Sequence, residues 1–205
     1  MSISCHSLEK SYKNKTLFEN VNSEFKSGIC NCLIGENGTG KTTLLRMIAG
    51  LEKYDRGRIQ IKGKCTYSGS NPYMLRGSVL ENILYPLSLK QQRNQKDYQK
   101  GMAMISKLGL LGLEHREACT LSSGEKQKVA IGRAMIWEPD VLLLDEPTAN
   151  IDASTVETIE QILLDYIKMP SRTLIFVSHD FEQIKRMTGE TWILKDKTLI
   201  KALGE

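Results

Sequence analysis

The chain has 205 residues, of which 40% are hydrophobic and 25% are charged, and this composition predicts a globular protein with one well-buried domain. No apolar run approaches the roughly 20 residues that cross a bilayer, and the N-terminus lacks the pattern of a signal peptide. The formal charge of +4 is too small to indicate a nucleic-acid partner, and five scattered cysteines predict reduced, packed thiols in a cytosolic protein.

The first part of the chain has the pattern of strands followed by one helix. Residues 2–8 and 17–26 are expected to pair as antiparallel strands joined around residues 10–15. The run 29–34 is a strand that leads into a glycine-rich segment, and 41–50 has helical spacing and ends at a glycine. A short strand is predicted at 58–61.

From Pro72 to about Thr120 the pattern becomes helical, with predicted helices at 79–87 and 96–111 separated by the polar run 90–96. This stretch is interpreted as a helical insertion. The rest alternates helix and strand, with helices predicted at 123–136, 153–168 and 181–187, strands at 141–144 and 173–177, and a closing hairpin of 192–194 and 197–200. The apolar run 141–144 is typical of a central parallel strand.

Residues 35–43 have the form G-x-x-x-x-G-K-[ST] between a predicted strand and a predicted helix, which is the context of a phosphate-binding loop. Glycines allow backbone N–H groups to surround an anion, and the N-terminus of the helix adds further N–H groups. Lys41 offers a positive charge to the β- and γ-phosphates of a nucleotide, and Thr42 is placed to bind Mg²⁺. The expected phosphate contacts are Gly35, Glu36, Asn37, Gly38, Thr39, Gly40, Lys41, Thr42 and Thr43.

Two carboxylates, Asp145 and Glu146, follow the apolar strand 141–144. Because α/β sheets bind ligands at the C-terminal ends of their strands, Asp145 is predicted to bind Mg²⁺. Glu146 is predicted to orient or deprotonate the attacking water. A strand that simply runs into a polar loop also explains this pair, and the phosphate loop upstream favours the catalytic interpretation.

The segment 121–127, LSSGEKQ, resembles the L-S-G-G-[EQ]-x-Q signature of ABC-type ATPases, with Ser123 in place of the first glycine. Ser122, Ser123 and Gly124 form a second expected anion site at a helix N-terminus, with Ser123 as the expected N-cap. In this family the segment contacts the γ-phosphate of ATP held by the other subunit. The resemblance therefore implies a head-to-tail homodimer, or a pseudo-symmetric pair of ATP-binding subunits.

The resemblance extends over nearly the whole chain and implies an α/β fold. The expected architecture is a P-loop NTPase core with a mostly parallel sheet, an N-terminal antiparallel β subdomain and an inserted helical subdomain. Residues 1–205 would form a single ABC ATP-binding domain, with the helical subdomain at about 72–120.

Three further residues match positions with a role in the family. Tyr12 corresponds to the aromatic residue that stacks under adenine, and Asp152 to the aspartate that bridges the two subunits. His179 corresponds to the switch histidine at the γ-phosphate. A lone tyrosine or strand-end histidine is often structural, and the ordered set of motifs favours the functional interpretation.

One segment departs from the family pattern. Alignment of residues 67–73 with Y-x-P-Q-x-P-[FY] places Ser70 where a glutamine normally reaches Mg²⁺ and the attacking water, and Gly69 where a proline is usual. The serine side chain is too short to span that gap without a water, and Gly69 makes the loop more flexible. ATP hydrolysis is still expected, because Lys41, Thr42, Asp145, Glu146 and His179 are all present.

The resemblance implies a Mg²⁺-dependent ATPase subunit that energises a membrane permease from the cytoplasmic face as a peripheral protein. ATP binding would close the dimer and hydrolysis would reopen it. Residues 74–87 look like the corresponding stretch of oxyanion importers of the tungstate and molybdate type, which favours import, with a solute-binding protein as a further partner. Tyr73, Met74 and Leu75 are either apolar anchors for a permease helix or ordinary core.

Three alternatives stay open on the sequence. The chain matches the size of small exporter ATPase subunits, and a soluble ABC-type ATPase acting on ribosomes or DNA has the same motifs. Ser70 alone motivates a regulatory module that hydrolyses ATP poorly. Because no dense basic tract with interleaved aromatics occurs in the chain, no nucleic-acid partner is expected.

Overall fold

The computed structural model describes residues 3–13, 15–89, 94–187 and 189–202. The strands are β1 (Ile3–Tyr12), β2 (Lys15–Phe25), β3 (Cys30–Ile34), β4 (Arg56–Ile61), β5 (Cys65–Ser68), β6 (Val141–Asp145), β7 (Thr173–Val177), β8 (Gly189–Lys195) and β9 (Thr198–Lys201). The helices are α1 (Lys41–Ile48), α2 (Val79–Ser88), α3 (Gln95–Lys107), α4 (Ser123–Met135), α5 (Ala153–Ile167) and α6 (Phe181–Met187). A short 3₁₀ turn, Ala118–Thr120, precedes α4.

The strands form two sheets. The larger has six strands in the order β5-β6-β7-β3-β8-β9, and all neighbours are parallel except the β8–β9 hairpin. The smaller is an antiparallel sheet in the order β2-β1-β4. The helices α2 and α3 lie between β5 and β6 in the chain, and α2 packs on α4. The predicted α/β fold, with a mostly parallel sheet, an antiparallel subdomain and a helical insertion, is confirmed.

Both faces of the large sheet are buried, which explains the apolar runs of its central strands. Leu142 and Leu144 of β6 belong to the core shared with the helices on one face, whereas Val141 and Leu143 belong to the core between the two sheets. The same alternation holds in β7. Because successive side chains of a strand point to opposite faces, a strand covered on both sides has to be apolar throughout.

The structure corrects several predicted boundaries. β1 continues to Tyr12 through register irregularities, beyond its predicted end at residue 8. α3 ends at Lys107, before the predicted 111, because the chain turns at Gly109, whose N–H donates to the Ser106 carbonyl. β5 was not predicted at all. The predicted start of the first strand at residue 2, and residues 90–93 of the predicted polar run, lie outside the described residues.

None of the helices in the described ranges is long and apolar enough to cross a membrane.

Candidate functional site

The phosphate loop connects β3 to α1. Lys41 is 7% exposed, and its ammonium donates hydrogen bonds to the carbonyl oxygens of Gly35 and Glu36, at 2.8 and 2.9 Å. Burial lowers the pKa of Lys41, and the charges of Glu146 and Asp145 oppose that shift. The N-cap of α1 is Gly40, so no side chain caps the first turn. The free N–H groups of that turn and the buried ammonium make this loop suited to a phosphate.

The remaining residues of the loop differ in exposure. Glu36, Asn37 and Gly38 are exposed at its tip, and Thr39 turns back, its hydroxyl donating to the Glu36 carbonyl at 2.9 Å. Thr43, partly buried in α1, completes the predicted set. The predicted residues therefore form the loop after β3 and the first turn of α1.

Asp145 is the last residue of β6, and it meets the first turn of α1. The Thr42 hydroxyl donates to Asp145 Oδ2 at 2.8 Å, and the Tyr67 hydroxyl makes a longer contact of 3.5 Å to the same oxygen. Burial raises the pKa of Asp145, although the hydrogen bond from Thr42 acts in the opposite direction. Burial and the Asp145 charge raise the pKa of Tyr67 to about 12, so its phenol stays a donor.

Glu146 and His179 come together although they are far apart in the sequence. Their strands, β6 and β7, are parallel neighbours, with Asp145 opposite Val177, so the residues that follow the two strands meet. Glu146 Oε1 lies 3.2 Å from His179 Nε2. A carboxylate and an imidazole at this distance can share or relay a proton.

Ser70 follows β5, which pairs with β6 in parallel register, so it lies in the loop at the same edge of the sheet. Its side chain is exposed. The order β5-β6-β7-β3 thus brings the ends of four strands together, with the phosphate loop at one side and the Ser70 loop at the other.

Ser122, Ser123 and Gly124 lie at the start of α4. The predicted N-cap is wrong: Ser122, not Ser123, caps the helix, accepting from Glu125 N–H at 3.3 Å while Glu125 accepts from Ser122 N–H at 2.8 Å. Ser123 is the first helical residue, because the extended backbone that an N-cap needs is found one residue earlier.

Asp152 caps α5 next to this segment. It accepts hydrogen bonds from Thr155 N–H and from the Ser154 and Thr155 hydroxyls, at 2.9, 2.6 and 2.8 Å. These donors hold the Asp152 pKa well below its usual range. A Cβ on Gly124 would lie 3.4 Å from Asp152 Oδ2, so the two predicted intersubunit segments are neighbours. Among the described residues, no hydrogen bond or ion pair joins them to the phosphate loop.

Tyr12 ends β1 and is 44% exposed. The Lys10 ammonium lies 4.4 Å from the centre of its ring and is itself held by Glu52 and by the Lys53 carbonyl, at 2.9 and 2.7 Å. An exposed aromatic ring steadied by a nearby cation is a suitable surface for stacking on a base.

A groove of about 720 Å³ runs between the loop after β5 and the helices α2 and α4. Tyr67, Tyr85 and Trp137 contribute aromatic surface, and Tyr73 is 73% exposed at its side. Of the other candidate anchors, Met74 is buried in the core and Leu75 is half-buried. Sequence reasoning missed Tyr67 as a contact of Asp145, and no local pattern marks a contact between residues so distant in the chain.

A phosphate loop after β3 and an acidic pair at the end of β6 define a P-loop nucleotide hydrolase. The profile of the ABC transporter family matches residues 18–149. The chain therefore belongs to the ABC transporter family, as an ATP-binding subunit that hydrolyses ATP to power transport. The predicted family and the predicted ATPase activity are confirmed.

Relatives match over almost the entire chain. The tungstate uptake system ATP-binding protein TupC of Peptoclostridium acidaminophilum is 36% identical over 218 residues, covering 100% of this chain and 99% of that protein. The aliphatic sulfonates import ATP-binding protein SsuB 1 of Nocardia farcinica is 33% identical, covering 95% of this chain and 78% of its own.

Two solved structures support the fold alone. The dimeric post-hydrolysis ATP-binding cassette MJ0796 bound to ADP and Pi has a TM-score of 0.88 at 24% identity, covering 99% of this chain and 100% of that chain. The cbiO1 subunit of Clostridium perfringens, part of the transporter complex cbiONQ, has a TM-score of 0.86 at 23% identity. The match covers 97% of this chain and 86% of that chain.

Proposed function

We propose that this subunit powers the import of an oxyanion such as tungstate or molybdate, with Glu146 and His179 at the centre of its ATPase site. The observation that carries the ATPase part of the proposal is the convergence of the strand ends: Thr42 bonds Asp145 at 2.8 Å, and Glu146 contacts His179 at 3.2 Å. A metal-binding pair and a proton-handling pair therefore lie side by side at the phosphate loop.

Each residue has a defined task in this site. The loop N–H groups and Lys41 hold the β- and γ-phosphates, and the Lys41 charge stabilises the transferring phosphoryl group. Glu146 orients and deprotonates the attacking water, and His179 contacts the γ-phosphate and keeps Glu146 in place. Tyr12 stacks on adenine. This stacking positions the nucleotide, and Tyr12 takes no part in the reaction.

The oxygen donors of this chain fit Mg²⁺. The Thr42 hydroxyl and the Asp145 carboxylate already lie within hydrogen-bond distance of each other, and Mg²⁺ in nucleotide sites takes one or two such ligands together with phosphate oxygens. Bound there, the ion neutralises charge that develops on the phosphates. Ser70 lies on the same edge of the sheet and would act through a water because its side chain is short.

The subunit works as a head-to-tail pair in this proposal. Ser122, Ser123, Gly124 and Asp152 form their own cluster, separate from the phosphate loop of the same chain. A second copy would present this cluster to the γ-phosphate, with the N-terminus of α4 directed at the anion. Either a homodimer or a pseudo-symmetric pair satisfies this geometry.

A permease partner suits the groove beside the β5 loop. Its aromatic walls and the exposed Tyr73 can receive an apolar helix, and the Arg133 guanidinium donates to the Tyr73 carbonyl at 2.6 Å, which fixes that wall. The subunit would then lie peripherally on the cytoplasmic face of the membrane. We further propose that residues 1–205 make up one ATP-binding domain, with a helical subdomain at about 72–120 that carries this groove.

Import is supported by the names of the relatives, which include sulfonate, taurine and spermidine/putrescine import proteins, and the tungstate uptake protein supports an oxyanion as the cargo. A solute-binding protein would deliver the ion to the permease. The exporter and the ribosome or DNA alternatives are not favoured, since none of these relatives is of either kind.

The test uses Glu146→Gln, with Glu182→Gln as the matched control on an exposed carboxylate of α6. Glu146→Gln should bind ATP, form a stable dimer with Mg-ATP and co-purify from detergent-solubilised membranes with a multi-span permease. Tungstate uptake by the same cells should be lost, whereas Glu182→Gln should hydrolyse ATP and support uptake. Wild-type hydrolysis by Glu146→Gln would refute its role, and recovery of ribosomal proteins alone would refute transport.

A further inference from the structure

The turn that carries Glu146 has an unfavourable backbone. Glu146 has a φ of 50°, in the left-handed region that few residues with a Cβ adopt. It also precedes Pro147, and a proline favours extended backbone in the residue before it. Such a conformation persists only where the surroundings hold it in place.

A chain of side-chain hydrogen bonds leads from this turn into the protein. The Thr148 hydroxyl donates to Gln183 Oε1 at 3.0 Å, and Gln183 Nε2 donates to Glu160 Oε1 at 3.2 Å. The Arg186 guanidinium then donates to both Glu160 oxygens, at 2.9 and 2.7 Å. Gln183 is 1% exposed and Glu160 is 6% exposed, so the Gln183–Glu160 bond is shielded from water, whereas the Arg186 side chain is half-exposed.

The Glu160–Arg186 ion pair also determines which way the Gln183 amide faces. A carboxylate that already accepts from Arg186 accepts again from an NH₂ group and would repel an amide oxygen. The amide nitrogen therefore faces Glu160, and its oxygen faces the hydroxyl of Thr148.

The Thr148–Gln183 hydrogen bond connects the segment after β6, which carries Glu146, with the segment after β7, which carries His179. Gln183 lies in α6, which begins two residues after His179, and Asp180 ties the intervening turn by accepting from Glu182 N–H and Gln183 N–H at 2.9 and 3.2 Å. A cavity of about 310 Å³ is lined by both segments. The parallel pairing of β6 with β7 brings the two segments together, and the Thr148–Gln183 bond adds a side-chain link beside the cavity.

We propose that Thr148 and Gln183 are positioning residues that hold Glu146 and His179 at the separation needed for ATP hydrolysis. The inference rests on the proposed roles of Glu146 and His179. Neither positioning residue touches the nucleotide in this scheme. Loss of either one would loosen the geometry of the reaction without removing a phosphate contact.

The experiment measures kcat and KM for Mg-ATP on the full chain. Thr148→Val removes the hydroxyl at nearly constant volume, and Gln183→Met removes the amide. Each should lower kcat by about 10- to 100-fold, as small misplacements of catalytic groups do, with KM changed by less than about threefold. Thr148→Ser keeps the hydroxyl and should restore kcat. Both changes break the Thr148–Gln183 bond, and Gln183→Met also removes the bond to Glu160, so the double variant should be little worse than Gln183→Met alone.

Tyr166→Phe is the matched control, since it deletes another buried hydrogen bond, from Tyr166 to the Pro139 carbonyl at 2.9 Å, on α5 away from this turn. It should lower the melting temperature and leave kcat unchanged. An unchanged kcat in Thr148→Val, a Thr148→Ser as slow as Thr148→Val, or fully additive single effects would overturn the proposal.

Glu146→Gln separates this inference from the function on which it rests. If Glu146→Gln is inactive while Thr148→Val is fully active, the positioning role alone is wrong. If Glu146→Gln hydrolyses ATP at the wild-type rate, the assignment of Glu146 is wrong and the positioning role falls with it.

Discussion

Two of the three glycines in the phosphate loop, Gly35 and Gly38, differ sharply in what surrounds them. A Cβ placed on Gly35 would lie 2.5 Å from the Leu194 carbonyl oxygen, a backbone atom of the neighbouring strand β8. A Cβ placed on Gly38, at the exposed tip of the loop, would meet nothing within 4 Å. Substitution of each by alanine therefore compares a site limited by backbone contact with β8 against a site limited only by its own φ angle.

The loss of folding free energy can be worked out separately for the two substitutions. At Gly38 the φ of +77° costs an alanine roughly 1–2 kcal/mol, and the less flexible unfolded chain returns about 0.4–1 kcal/mol, so the net loss is about 1 kcal/mol. At Gly35 the backbone carbonyl cannot rotate away, so strain at φ and overpacking together cost about 3–5 kcal/mol. The difference between the variants is about 2–4 kcal/mol.

Thermal unfolding without nucleotide is the assay. For a chain of this size 1 kcal/mol shifts the melting temperature by roughly 2–4 °C, so Gly35→Ala should melt roughly 4–16 °C below Gly38→Ala. Equal melting temperatures would refute the reasoning, because they would mean that β8 yields to the added methyl group.

Three further changes test the site. Burial raises the pKa of Asp145 above its value in the unfolded chain, so the stability that the protonated carboxyl preserves below pH about 4 is lost as pH rises through the folded pKa. Asp145→Asn should therefore raise the melting temperature at pH 7 but not at pH 3. The same variant should lose Mg²⁺-dependent hydrolysis. Ser70→Gln should not lower basal ATPase activity, and a large loss would contradict the alignment of residues 67–73. Tyr12→Leu should raise KM for ATP about 5- to 100-fold through lost stacking with kcat at saturation unchanged, whereas Tyr98→Leu, an exposed tyrosine of α3, should change neither.

Local patterns predicted most of the elements correctly. The strand Thr173–Val177 and the helix Phe181–Met187 have the predicted bounds. The strand is a largely apolar run, and the polar residues 178–180 separate it from the helix. β5 was missed because it is short and only half-buried, with the mixed sequence CTYS that resembles a loop. Its strand character comes from pairing with β6, a partner distant in the chain.

The N-cap of α4 was predicted one residue too late, although a local pattern distinguishes the two candidate serines. Ser122 and Ser123 are chemically equal candidates in the sequence, and either can accept a hydrogen bond from the helix. The choice of Ser122 depends on which residue has extended backbone and on Glu125 reaching back to the N–H three residues before it. Only Ser122 has a glutamate three residues later, so the S-x-x-E spacing of a capping box indicates Ser122 from the sequence itself.

The sequence by itself determined the chemistry of this protein, because each motif is a short run whose residues are adjacent in the chain and act together through local backbone geometry. The loop 35–43, the pair Asp145–Glu146 and the residue His179 could be recognised for this reason. Only the tertiary structure decided which of these groups meet. The 3.2 Å contact of Glu146 with His179 and the bond of Thr148 to Gln183 depend on the parallel pairing of β6 with β7 and on the packing of α6 against α5. Those contacts arise from burying two faces of one sheet, a property of the whole core that no local run of residues encodes.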